Sequence, residues 1–351
     1  MKNSFQQSRA TALKLLPIIA FIVPLALLFL LNPYDPYLKL SGQDSFNFMW
    51  KGRTFLLFFV WLIALEFILS WEKIVPKISR QNKTRLVALT VALLLPTLYV
   101  VLANYFGLNG AIANWAQTSG VAFYDSMPLA IEYLVFSGLF CLTTLLLYGK
   151  KGLMAFILPA IFVALVGILY TIDNVFPYGE FTPFQLLVPT TAMLASNLLG
   201  LMGYTAVLGT EVGTGMPTIQ ATGPLGTAKF AIAWPCAGIE SLLIFTAVTL
   251  LFLKRIPMSW RARIGYFSMG IIVTYFINVL RIATIFTIGM EFGTNSNQVQ
   301  MFHFYYGPLY AMAWIISYPL LIIASQKLYR KFNGKKQAAP TVPLGNVNQN
   351  G

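Results

Sequence analysis

Nine apolar runs recur along the chain, at 15–31, 54–71, 86–106, 129–148, 153–172, 184–208, 237–253, 264–290 and 306–325, with short polar links between them. Runs of about 17–25 residues are long enough to cross a hydrocarbon core of about 30 Å as helices. Lipid offers no partner to backbone N–H and C=O groups, so such runs must pair them internally, as helices do. The other spanning solution, a closed barrel, needs short alternating segments, and these are absent. One run stands apart. Residues 184–208 carry Pro189, Thr190, Thr191, Ser196, Asn197, Gly200 and Gly203, a poor composition for a free span. The following 209–235 segment is rich in Gly, Thr and Pro and ends in the alternating stretch Lys229-Phe230-Ala231-Ile232-Ala233. That pattern predicts a small hairpin. From Gln337 onward the chain is polar and Gly/Pro-rich, which predicts a disordered tail.

Charge placement orients these elements. Only 10% of residues are charged against 57% hydrophobic, where a soluble domain carries about 25% charged residues. The net charge of +13 sits in links and tails, as the positive-inside rule describes, and does not form a nucleic-acid surface. Lys2, Arg9 and Lys14, the 72–85 and 149–152 links, the 254–263 link and the C-terminal lysines and arginines are all expected on the cytoplasmic side. The links at 107–128, 173–183 and 291–305 hold no Lys or Arg and are expected outside. If 184–208 spanned fully, the four positive charges of the 254–263 link would lie outside, so a re-entrant or interfacial helix is expected there. The first run follows basic residues as a signal peptide would, but no small-residue cleavage site follows it, and a retained helix is expected. The fold class is therefore all-α polytopic membrane, with about eight transmembrane helices, one re-entrant or interfacial helix and a small exoplasmic hairpin. Three regions follow: N-terminal helices over 1–183, a core over 184–330, and a disordered cytoplasmic tail over 331–351.

Three residues suggest chemistry. Cys236 opens the 237–253 helix, where the dipole and unpaired N–H groups favour a thiolate and could stabilise an oxyanion. Its plainer reading is a cysteine packed as a small hydrophobe, the reading also given to Cys141 in mid-helix. Arg281 lies deep in the 264–290 run, at a cost of at least about 2.5 kcal/mol, which usually marks a site or a buried ion pair. Such a pair would need Glu240, Glu132 or Glu66; the functional alternative is a carboxylate or a developing oxyanion. His303, the one histidine, precedes the last helix and is the natural proton carrier for a thiol, although a lone histidine is commonly an incidental surface residue. Topology puts all three toward the same face on successive helices. One histidine and two dispersed cysteines make no metal set, and no phosphate-binding glycine motif is present, so no cofactor is expected.

The segments Pro-Cys-Ala-Gly-Ile-Glu-Ser-Leu (235–242) and Asn-Val-Leu-Arg-Ile (278–282), with His303 before the final helix, resemble the exosortase/archaeosortase family of polytopic membrane transpeptidases. The resemblance covers roughly 190–325 and is nearest the thaumarchaeal branch, with Cys-Ala-Gly where the family usually has Cys-Ser-Gly. It implies a sortase-like cysteine protease or transpeptidase with Cys236 as nucleophile, Arg281 as an electrostatic partner of the substrate, and His303 as general base and acid. Its implied partners are exported proteins ending in a motif, a hydrophobic helix and a basic cluster, and a lipid or glycan acceptor. The site would face the exoplasmic side of the cell membrane. Two rivals remain from the residues alone: a transporter binding an anionic substrate at Arg281, and a non-catalytic scaffold.

Overall fold

The computed structural model describes residues 2–30, 42–71, 74–76, 83–176 and 185–337. Its first half is helical: α1 Lys2–Leu30, α2 Gly42–Ser70, α3 Lys83–Tyr105, α4 Leu108–Thr118, α5 Met127–Ala155 and α6 Ile157–Val175. Then come α7 Leu187–Leu201, strands β1 Thr205–Thr210, β2 Pro217–Gly223 and β3 Gly226–Ala231, and a 3₁₀ turn Trp234–Ala237. The chain finishes with α8 Ile239–Arg255, α9 Trp260–Phe292, α10 Asn297–Met301, a π-helix Phe302–Tyr306 and α11 Gly307–Gln337. This is an all-α polytopic membrane protein carrying one small sheet.

Among the described residues five helices are long and apolar enough to cross a membrane: Lys83–Tyr105, Tyr124–Ala155, Ile157–Val175, Trp260–Phe292 and Leu309–Tyr329. Leu13–Leu28, Phe55–Ser70 and Leu187–Leu201 are shorter apolar stretches. The turn expected at 149–152 falls at Gly149, whose φ of +72° breaks the run of α5. Two expectations are corrected. The 184–208 segment is no single element, because α7 ends at Leu201 and β1 takes residues from Thr205. With fifteen residues, α7 rises only about 22 Å, short of a full crossing. The predicted hairpin is a three-stranded antiparallel sheet in the order β1-β2-β3. At the C-terminus α11 remains helical to Gln337, so 331–337 are not tail; the expectation of disorder over 338–351 lies outside the described residues.

Packing divides into two cores. In the larger, Phe21, Phe59, Phe136, Phe140 and Phe156 interlock edge to face, with ring centroids 5.0–6.0 Å apart. Phe245 and Leu251 of α8 and Ile315 and Ile322 of α11 join this core, so packing is continuous across residue 184. The smaller core sets Val188, Ala192, Ala195 and Leu199 of α7 and Ile219, Ala221 and Ala228 of the sheet against Val279, Ile282, Ala283, Phe286 and Met290 of α9. Trp234 and Ala237 complete it, and this core seats the 3₁₀ turn.

Basic residues gather at the opposite end. Lys14 donates to the Trp71 carbonyl at 2.9 Å, and Tyr148 to the Lys14 carbonyl at 2.7 Å. Arg85 donates to the Leu146 carbonyl, and Arg255 at the end of α8 pairs with the fully buried Glu66 of α2. The middle of α1, the start of α3 and the C-terminal parts of α2, α5 and α8 therefore meet at one end of the bundle, away from the start of α8.

Candidate active site at the start of α8

Strand β3 runs into the site without a loop. The Ile232 N–H still donates to the Pro217 carbonyl at 2.8 Å, extending the ladder past β3. The chain then tightens into the 3₁₀ turn, opened by Pro235 and closed by the Cys236 N–H on the Ala233 carbonyl at 3.0 Å. Gly238 follows at φ +90°, a conformation that a side chain resists, and reverses the chain into α8. Cys236 thus lies two residues ahead of the N-cap, not in the first turn of α8. This corrects the expected placement, and its cause is the left-handed glycine between thiol and helix.

Asn278 of α9 locks the turn. It is 2% exposed, and its Nδ2 donates to the Cys236 carbonyl at 2.8 Å. A carbonyl accepts only, so this contact fixes which way the amide points. A Cβ on Gly238 would fall 2.7 Å from the Asn278 Cγ, so the glycine is required by contact as well as by φ. The Asn278 Oδ1 is buried with no hydrogen bond among the described residues.

His303 rides on the π-helix. Such a turn shifts the pairing to i→i+5, and the Gly307 N–H accordingly donates to the Phe302 carbonyl. The next donor in that register would be residue 308, a proline with no N–H. The His303 carbonyl therefore has no i+5 N–H to accept from, and Arg281 reaches it: Nη2 donates at 2.8 Å. Gly307 makes room, since a Cβ there would stand 2.7 Å from the Arg281 Nε. On the other side of the same residue, the His303 Nε2 lies 3.7 Å from the Cys236 Sγ, within the range of a hydrogen bond to sulfur. A thiol can donate to a neutral Nε2, or a protonated Nε2 to a thiolate. Cys236, Arg281 and His303 are all half-buried.

The three residues singled out from the sequence thus meet, from the 3₁₀ turn, α9 and the π-helix. Glu66, one of the carboxylates a structural pairing of Arg281 would need, is instead bonded to Arg255 and to the Ser70 hydroxyl. Cys141 packs against the larger core. What the sequence reading missed is the support: Asn278 behind the thiol, and Gly307 with Pro308 behind the imidazole. Asn278 had a legible signal, a polar residue in an apolar helix three positions before Arg281 and so on the same face.

A polytopic helical membrane protein with a thiol and an imidazole paired at one end of its bundle defines a narrow class. The family model of transmembrane exosortases matches residues 49–320, and the chain belongs to that family. It is thereby a transmembrane sorting transpeptidase or protease at family level, acting on exported proteins with C-terminal signals. The match reaches from α2 into α11, well beyond the segments around the three site residues. No curated protein and no solved structure matches the chain.

Proposed function

We propose that this protein is a cysteine transpeptidase that cuts the C-terminal signal of an exported protein and passes the new acyl end to a lipid or glycan acceptor. The observation that carries this reading is the 3.7 Å approach of the His303 Nε2 to the Cys236 Sγ, in a chain of the exosortase family. In the first half-reaction His303 takes the thiol proton and the thiolate attacks the scissile carbonyl carbon. Collapse of the tetrahedral intermediate breaks the C–N bond, His303 gives its proton to the leaving amine, and a thioester remains on Cys236. In the second, an acceptor amine or hydroxyl loses its proton to His303, attacks the thioester and releases the thiol. A site with little water favours transfer over hydrolysis.

Arg281 has two tasks in this scheme. Its hydrogen bond to the His303 carbonyl supports a positioning role, and its remaining Nη hydrogens, not the buried Nε, would face the developing oxyanion. The site is assigned to the exoplasmic side, because the basic residues gathered at the other end belong with the cytoplasm.

The test is co-expression with a secreted reporter that ends in the C-terminal signal of an exported protein from the same organism. Mass spectrometry of the reporter's new C-terminus reads the reaction. An attached lipid or sugar is expected; a free carboxylate would mean proteolysis alone. Cys236→Ala and His303→Ala should abolish processing while the protein still inserts. A transporter would lose function with Arg281→Ala and tolerate both of those changes.

A further inference from the structure

The sheet that delivers Cys236 ends at β3, an edge with no strand partner among the described residues. Backbone groups alternate in direction along a strand, and the Ile232 N–H points at β2. Phe230, Ala228 and Gly226 therefore also face β2, as their pairing with Ile219, Ala221 and Gly223 requires. The N–H and C=O groups of Thr227, Lys229 and Ala231 face away. Among the described residues no hydrogen bond reaches them. The opposite edge differs: by the same rule Ala206, Leu208 and Thr210 face outward on β1, and the Ser196 hydroxyl of α7 already caps the Ala206 carbonyl.

Among the described residues no other strand lies along the β3 edge. Of the described elements, β2 and α9 pack most on β3, and Phe230 also packs against the cluster of Ile285, Val299 and Phe302 from α9, α10 and the π-helix. Helix α9 meets the side-chain face, through Phe286 on Phe230 at a centroid distance of 5.0 Å and through Met290 against Gly226. Thr227 and Lys229 are exposed. An open strand edge is a template for another extended chain, and proteins usually guard it. This one runs straight into the turn that holds the thiol.

We infer that the β3 edge binds the extended segment just upstream of the scissile bond, as a fourth strand parallel to β3. This rests on the reading of Cys236 as the nucleophile. Direction follows from the membrane. Past Cys236 the enzyme chain enters α8, and past its scissile bond a substrate with a C-terminal apolar helix also enters the bilayer. Two chains that enter side by side run the same way. Backbone pairing at Thr227, Lys229 and Ala231 supplies affinity without reading side chains, which suits an enzyme acting on many exported proteins.

Two measurements on the full-length enzyme test this, using the secreted reporter whose processing Cys236→Ala abolishes. Lys229→Pro removes an outward N–H and leaves the β2 ladder intact; KM should rise about tenfold with kcat little changed. Leu208→Pro, outward on the other edge, should leave both unchanged. For binding without chemistry, Thr227→Cys or Ala231→Cys in a Cys236→Ala, Cys141→Ala enzyme is cross-linked to single-cysteine reporters. Ala231→Cys should capture reporter residues nearer the scissile bond than Thr227→Cys does. Wild-type KM in Lys229→Pro, no cross-link, the reverse order, or cross-links only between enzyme copies would each overturn the inference. Because the cross-link needs no catalysis, its failure is separate from any failure of Cys236 as nucleophile.

Discussion

At the residue scale, the site depends on groups that do no chemistry. Gly307 leaves room for Arg281, and Arg281 donates to the His303 carbonyl, to which Pro308 offers no N–H. Gly307→Ala should push the guanidinium off that carbonyl and cost about 1–3 kcal/mol of strain. Processing should fall about tenfold or more; the added Cβ also stands 2.9 Å from the Phe302 carbonyl oxygen, so the combined loss with Arg281→Ala should be less than the sum of the single losses but more than that of Arg281→Ala alone. Kinetics of the double-mutant cycle check this; additive losses would mean that the two act separately. Asn278→Asp keeps the shape of Asn278 but loses its donor, and sets a carboxylate against the Cys236 carbonyl. It should reduce kcat more than it raises KM, measured with the same reporter. The three candidate residues were legible because each is unusual where it stands: a thiol beside Pro and Gly, an arginine inside an apolar run, a single histidine. Their supports were less so, since glycine and proline are common in this chain and their meaning comes from tertiary contact.

At the element scale, hydropathy marked the helices well, as with 86–106 against Lys83–Tyr105 and 264–290 against Trp260–Phe292. It failed where backbone pairing, not hydrophobicity, decides the structure. Strand β1 was absorbed into an apolar run because Ala206, Val207 and Leu208 read equally as helix or strand. The π-helix was invisible, because its register is set by Pro308 and by the distant guanidinium. Helix α4 was missed as well, lying within the 107–128 link. The Glu66–Arg255 pair joins α2 to α8 with Glu66 fully buried and Arg255 partly exposed, so removing Arg255 leaves a buried carboxylate without its ion-pair partner. Arg255→Ala should destabilise by about 3–5 kcal/mol, and Glu66→Ala with Arg255→Ala by less than the sum of the single changes. Thermal unfolding in detergent measures both, and additive losses would count against the pair.

At the scale of the whole molecule, positive charge at one end and the thiol–imidazole pair at the other give the protein a polarity. The assigned orientation predicts that Thr210→Cys, in a Cys141→Ala, Cys236→Ala background, reacts with a membrane-impermeant maleimide added outside intact cells. Labelling only after the cells are opened would reverse the topology. That polarity was readable from the sequence through the placement of lysines and arginines. Continuous packing of α8 and α11 with the N-terminal helices was not, since it depends on which apolar faces meet. The most direct measurement is an intact mass of the purified enzyme, quenched in acid during a single turnover of the reporter without acceptor. A hydroxylamine-sensitive acyl adduct should appear and map to the peptide containing Cys236. Processing at the wild-type rate with no adduct, or an adduct on another residue, would contradict a thioester mechanism at this site.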